Sequence, residues 1–203
     1  MMMMAAAALL WAAGWADSPL TSTDIAVAYD DSEMVQYALL LQNGENDDLR
    51  TSILYWLSDE TAPVDERIAV VNKLGWNFDG KGSGDQLEAY LMRRCGVDSP
   101  AQLANKLDAK TLIVYAYTKA MSDYFNVTEA NELGKQAVAK NKDHSFTVAF
   151  ISALIDAQVW LDSDWGKVYR VVADVLADDT LVRDMRPAAI DSVMEYINLY
   201  QNY

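Results

Sequence analysis

Cysteine and histidine each occur once in this 203-residue chain, as Cys95 and His144. One cysteine allows no internal disulfide, so a small disulfide-stapled scaffold is excluded. One histidine excludes a histidine-rich metal site and leaves a serine-type triad a single base. That base would neighbour Ser145, yet side chains at i and i+1 diverge on a helix. A cysteine–histidine pair would need Cys95, which shares an apolar face with Leu87 and Leu91 and reads as a small core residue. No apolar run after Ala16 is long enough to cross a bilayer as a helix. Basic residues are scarce as well: 16 Lys and Arg stand against 30 Asp and Glu, a formal net charge of −14. With no basic cluster to offset it, such a surface repels phosphate backbones and anionic lipid, so no nucleic acid is expected as a partner. The charge keeps an exported protein soluble and leaves cationic or neutral partners open.

Charge is missing altogether from Met1 to Ala16. An apolar run from Ala5 to Trp15 ends in Gly14 and Ala16, the small residues that a signal peptidase needs, and Asp17-Ser18-Pro19 follows at once. The pattern departs from the usual one in having no Lys or Arg before the run. The expectation is a secretion signal over residues 1–16, cleaved after Ala16. A secreted or periplasmic single domain over residues 17–203 would remain. No cysteine follows the cleavage point to carry a lipid anchor.

The rest of the chain is helical in period. Leu49, Ile53, Trp56 and Leu57 share a face, as do Ile68, Val71 and Leu74, and Leu87, Tyr90, Leu91 and Cys95. Further stripes run through Ile113 to Tyr124, Trp165 to Leu176, and Ile190 to Ile197. Residues 146–161 are apolar on most sides, which predicts a central helix wrapped by the other C-terminal helices. Asp47, Ser99, Thr128, Ser145 and Asp164 stand where N-caps belong, and Pro100 suits a first helical turn. Gly44, Pro63, Gly75 and Gly96 fall between helices. Residues 77–85, with three glycines, form the longest non-helical candidate. Residues Asp65 to Gly75 resemble the second helix of a HEAT-type repeat, in which an acid and an Arg precede an Ala-rich stripe ending in Leu-Gly. Residues 48–57 would supply its partner helix, and Asp184 to Val193 echoes the pattern with Pro187 in place of an apolar residue. The fold expected is therefore all-α, built from stacked antiparallel helix pairs, HEAT-like or an irregular α-α bundle.

The constellations of known chemistry each lack a member. Residues 75–82 approach a phosphate-binding loop, but Gly82 stands where a magnesium-binding hydroxyl is required. Residues 79–90 approach a calcium loop, but Lys81 occupies a ligand position and Tyr90 replaces the bidentate acid. The paired acids, such as Asp30-Asp31, Asp59-Glu60 and Asp178-Asp179, fall at helix starts and loops, where capping explains them. No cofactor and no metal ligand set is read from the sequence. Aromatic residues outside the stripes, namely Trp76, Phe78, Tyr200 and Tyr203, are the candidate binding residues. The reading is an exported, non-catalytic helical binding or scaffold module for a protein or surface glycan. The alternative is an acidic hydrolase of envelope or dietary glycans using an Asp/Glu pair.

Overall fold

The computed structural model describes residues 17–42, 47–76 and 82–203. The expected signal over Met1 to Ala16, Phe78, and most of the glycine-rich stretch lie outside the described residues. Within them the chain is all-helical: α1 (Glu33–Gln42), α2 (Asp47–Leu57), α3 (Val64–Leu74), α4 (Ser83–Cys95), α5 (Pro100–Lys106), α6 (Ala109–Ser122), α7 (Thr128–Lys140), α8 (Phe146–Trp160), α9 (Trp165–Leu176) and α10 (Pro187–Ile197). No helix among the described residues is long and apolar enough to cross a membrane.

Side-chain oxygens fix several helix starts. Ser99, Asp108, Ser145 and Asp164 accept from the amides of Gln102, Thr111, Val148 and Lys167, satisfying donors that a first turn leaves free. Thr128 differs from its expected role, since it is the first residue of α7 and Val127 precedes it without a side-chain cap. The glycine-rich stretch is also shorter than its composition suggests, because α4 already begins at Ser83. A Cβ on Gly84 would stand 2.8 Å from Ser122 Oγ, so this glycine lets the start of α4 lie against α6. Its amide donates to that same hydroxyl at 2.8 Å.

Two helices share the centre. α8 is buried without a break from Phe146 to Ile155, with the Phe146 and Phe150 rings stacked at 4.9 Å. It packs against α7, α9, α6 and α3, whereas α10 rests on α9 and on the 3-10 turn Ala26–Tyr29. The second central helix is α6, buried from Thr111 to Thr118 and again from Ala120 to Ser122. Its polar residues disguise this. Thr118 Oγ1 donates to the Val114 carbonyl at 2.7 Å and Ser122 Oγ to the Thr118 carbonyl at 2.9 Å, so both hydroxyls are satisfied within the helix. Each large apolar side chain so buried contributes roughly 1.5–3 kcal/mol relative to exposure.

Residues 17–32 are part of the core despite having little helix of their own. Leu20, Ile25, Ala26 and Tyr29 are fully buried or nearly so. Asn72 of α3 holds this segment: its Oδ1 accepts from Ala26 N at 3.0 Å, and its Nδ2 donates to Thr23 O at 2.9 Å and to Tyr117 Oη at 3.1 Å. From the other end of the chain, Ser192 donates to Asp24 O at 2.9 Å. Arg186 donates to Ala28 O at 2.8 Å, pairs with Asp31 at 2.5 Å, and lies 4.4 Å over the Tyr29 ring.

Arg67 of α3 is the largest fully buried side chain. Its Nη1 donates to Leu57 O at 3.4 Å and to Thr111 Oγ1 at 3.2 Å, while among the described residues Nε and Nη2 have no partner. Burial lowers its pKa, against the pull of Asp108, Asp59 and Glu60.

Candidate functional site

The C-terminal end of α3 and the polar run Thr21-Ser22-Thr23-Asp24 face each other across an open cleft of about 780 Å³. Its shape follows from local sequence. α3 stops at Gly75, whose φ of 84° is open to glycine and strained for other residues, and the chain then delivers Trp76 to the rim. Asn72, one turn earlier, ties the opposite wall in place through the bonds described above. Trp76 is 38% exposed, and its ring meets Tyr124 edge-on at 5.0 Å. Tyr124 stacks in turn on Phe125 at 4.4 Å, giving a run of three rings from the cleft to the α6–α7 turn. Across the cleft, Asp24 is exposed and spends one carboxylate oxygen on Val27 N at 3.2 Å. Lys73 lines the same cleft and forms no ion pair among the described residues.

The expected binding residues do not gather in one place. Trp76 stands in this cleft, Phe78 lies outside the described residues, and neither Tyr200 nor Tyr203 lines the cleft. The two tyrosines belong to a second aromatic group at the start of α9. Tyr203 meets Trp165 edge-on at 4.9 Å, and Tyr200 exchanges a hydroxyl bond with Tyr196 at 2.8 Å. Tyr203 is exposed, but Tyr200 is half-buried, and burial raises its pKa. Trp165, assigned by periodicity to a core stripe, is 49% exposed. The hint was its position directly after the N-cap Asp164, where a ring projects past the helix end. Cys95 is half-buried rather than buried, at the last residue of α4.

Three other concavities differ in lining, one of them, about 530 Å³, bordered by Glu88, Met92, Arg93 and Asp98. One of about 220 Å³ is lined by Asp85, Asp123, Asn126 and Glu129 around Lys119, whose ammonium bonds Glu88 and Glu129, both at 3.3 Å. Another, about 420 Å³, is walled by Met34, Tyr55, Trp56 and Tyr90. Among the described residues no three His, Cys, Asp or Glu side chains group as ligands for a metal ion.

One carboxyl with a raised pKa, Asp65, feels the charge of a second acid, Asp184. Burial raises the Asp65 pKa above the ordinary 3.8; a Tyr29 hydroxyl bond at 2.8 Å opposes this, and the Asp184 charge adds to it. Asp184 is committed elsewhere: it accepts from Ser145 Oγ at 2.6 Å, Thr147 N at 2.8 Å and Thr147 Oγ1 at 2.9 Å. Among the described residues, neither acid lines any cleft named above. The shift at Asp65 has a measurable sign. A carboxyl whose folded pKa is raised favours folding while protonated and costs stability as pH rises from its unfolded value through its folded one. Asp65→Asn keeps an acceptor for Tyr29 and removes that cost. The variant is expected to be more stable than the parent at neutral pH, with the difference gone at about pH 3, below the unfolded pKa. Denaturant midpoints at the two pH values measure it.

No protein-family model, curated protein or solved structure matches the chain.

Proposed function

We propose that the chain is an exported, non-catalytic binding module that holds a protein or a surface glycan at the cleft beside Trp76. The observation that carries this reading is the company Trp76 keeps. A half-exposed indole, braced by Tyr124 and beside a Lys73 ammonium with no ion pair among the described residues, faces the Asp24 carboxylate across an open cleft, and none of these groups is arranged as a nucleophile with its base. Export rests on the apolar run before Asp17, and the acidic surface suits a protein working outside the cell. In this reading the architecture is one domain of stacked antiparallel helix pairs. The support is that α6, α7, α8 and α9 pack in sequence order across connections of a few residues, as antiparallel neighbours do.

Trp76→Ala, alone or with Phe78→Ala, is expected to weaken capture of a partner from cell-envelope or culture extracts while leaving the helical circular dichroism unchanged. The decisive opposing result is turnover of a glycan or peptide panel by the purified protein, abolished by one Asp or Glu substitution. Asp65→Asn is the first variant to try in that arm.

A further inference from the structure

We propose that Asn126 is an acceptor for an N-linked glycan. The proposal rests on the export half of the reading above, since such glycans are added to chains that cross a membrane. Asn126-Val127-Thr128 has the Asn-x-Thr form that an oligosaccharyl transferase recognises, with a residue other than proline in the middle. Of the ten asparagines in the chain, no other has Ser or Thr two residues on, so the motif marks one place. The fold leaves that place in solvent. Asn126 lies in the turn between α6 and α7, and there Asn126 and Thr128 are exposed while Val127 between them is buried. A glycan added before folding must end outside the core, and one added afterwards needs a turn that an enzyme can reach. Asn126 meets both conditions.

Both side chains of the motif are uncommitted. The Asn126 backbone amide donates to Asp123 O at 3.1 Å and to Asp123 Oδ1 at 3.3 Å. These bonds hold the turn through its backbone, and the Asn126 carboxamide hydrogen-bonds to no other described residue. Thr128 opens α7 without capping it, and its hydroxyl likewise bonds no described residue, so the transferase can read it. In the transfer, Asn126 Nδ2 forms a bond to the anomeric carbon of an oligosaccharide carried on a polyprenyl diphosphate. The bond from that carbon to the diphosphate oxygen breaks and its electron pair leaves with the diphosphate. One Nδ2 proton passes to a basic group of the transferase. The neighbouring ring gives the first sugar a footing. Phe125 is 59% exposed, and the C–H face of a pyranose laid against it covers apolar area that otherwise meets water.

The test is mass mapping of the full chain from two preparations. One is isolated from its own cells, and the other is secreted by a eukaryotic line with a host secretion signal ahead of Met1. In both, the peptide holding Asn126 should carry a glycan. Peptide-N-glycosidase should lower the mass of the intact protein in a single step and convert the acceptor to an aspartate. Asn126→Gln and Thr128→Ala should each abolish the glycan, and Thr128→Ser should keep it, because the transferase reads the hydroxyl. Exported native protein with an unmodified Asn126 overturns the proposal and leaves the export reading standing. A host-secreted chain without the glycan overturns the proposal as well, since the turn is then closed to the transferase. A glycan that survives Thr128→Ala overturns the assignment to this motif. Native protein retained in the cytosol overturns the export reading and the proposal with it.

Discussion

Arg67→Met is expected to raise the stability of the protein by about 1–4 kcal/mol, the range for replacing buried charges with apolar side chains of similar volume. The guanidinium is wholly out of solvent, keeps two weak bonds through one nitrogen, and finds no acceptor for Nε and Nη2 among the described residues. Its nearest compensating charges, on Asp108, Asp59 and Glu60, act through space and not through contact. Methionine fills most of the same volume between α2, α3 and α6 and brings no polar group of its own, so the change gives up only the weak bonds to Leu57 O and Thr111 Oγ1. Arg67→Ala separates volume from charge. It removes the same cation but opens a cavity, and should fall about 2–5 kcal/mol below the Met variant. Urea denaturation of the three proteins decides the matter. A Met variant less stable than the parent would mean that the two idle nitrogens have partners in solution.

Asp184→Ala is the largest loss expected from a single polar substitution, about 2–4 kcal/mol. The carboxylate collects the hydroxyls of Ser145 and Thr147 and the Thr147 amide at the start of α8. Both residues are buried, so truncation strands the Ser145 hydroxyl and the Thr147 amide beyond the reach of water, while the Thr147 hydroxyl keeps the Asp184 carbonyl at 2.9 Å. The same start is pinned by Phe146 N donating to Val182 O at 2.9 Å and Val182 N to His144 O at 2.7 Å. His144 makes that short bridge with a left-handed φ of 52°. Asp184→Asn keeps one acceptor oxygen and should lose less than half as much. Faster hydrogen exchange at Thr147, ahead of the middle of α8, would place the damage where the bonds are.

Periodicity located α8 because almost every residue from 146 to 155 is apolar. It gave α6 one buried stripe where the structure has a buried cylinder, and the reason is chemical. Threonine and serine in a helix can spend their hydroxyls on the preceding turn, and hydropathy has no way to register a polar group that is already satisfied. Arg67 is the converse case. It sits in the segment that resembles a repeat helix and carries a full charge, yet it points into the core. The site was legible through one residue. Trp76 follows a helix-ending glycine and lies off every stripe, which marked it as exposed. The opposite wall, Thr21 to Asp24, was not legible, because it reaches the cleft through contacts with Asn72 and α10 that lie far apart in sequence. The two C-terminal tyrosines differ for a local reason: Tyr200 is half-buried and shares a hydroxyl bond with Tyr196, whereas Tyr203 is exposed.

The clasp between residues 17–32 and α10 also sets an order of events. Tyr29 and Ala28 meet Arg186 across 157 and 158 residues, and Asp24 meets Ser192 across 168. Contacts of such range form late, since the loop they close is almost the whole chain. The α3 side of the seat, through Asn72 and Asp65, lies within 50 residues of the segment, but the α10 side is completed only when nearly all of the polypeptide has left the ribosome.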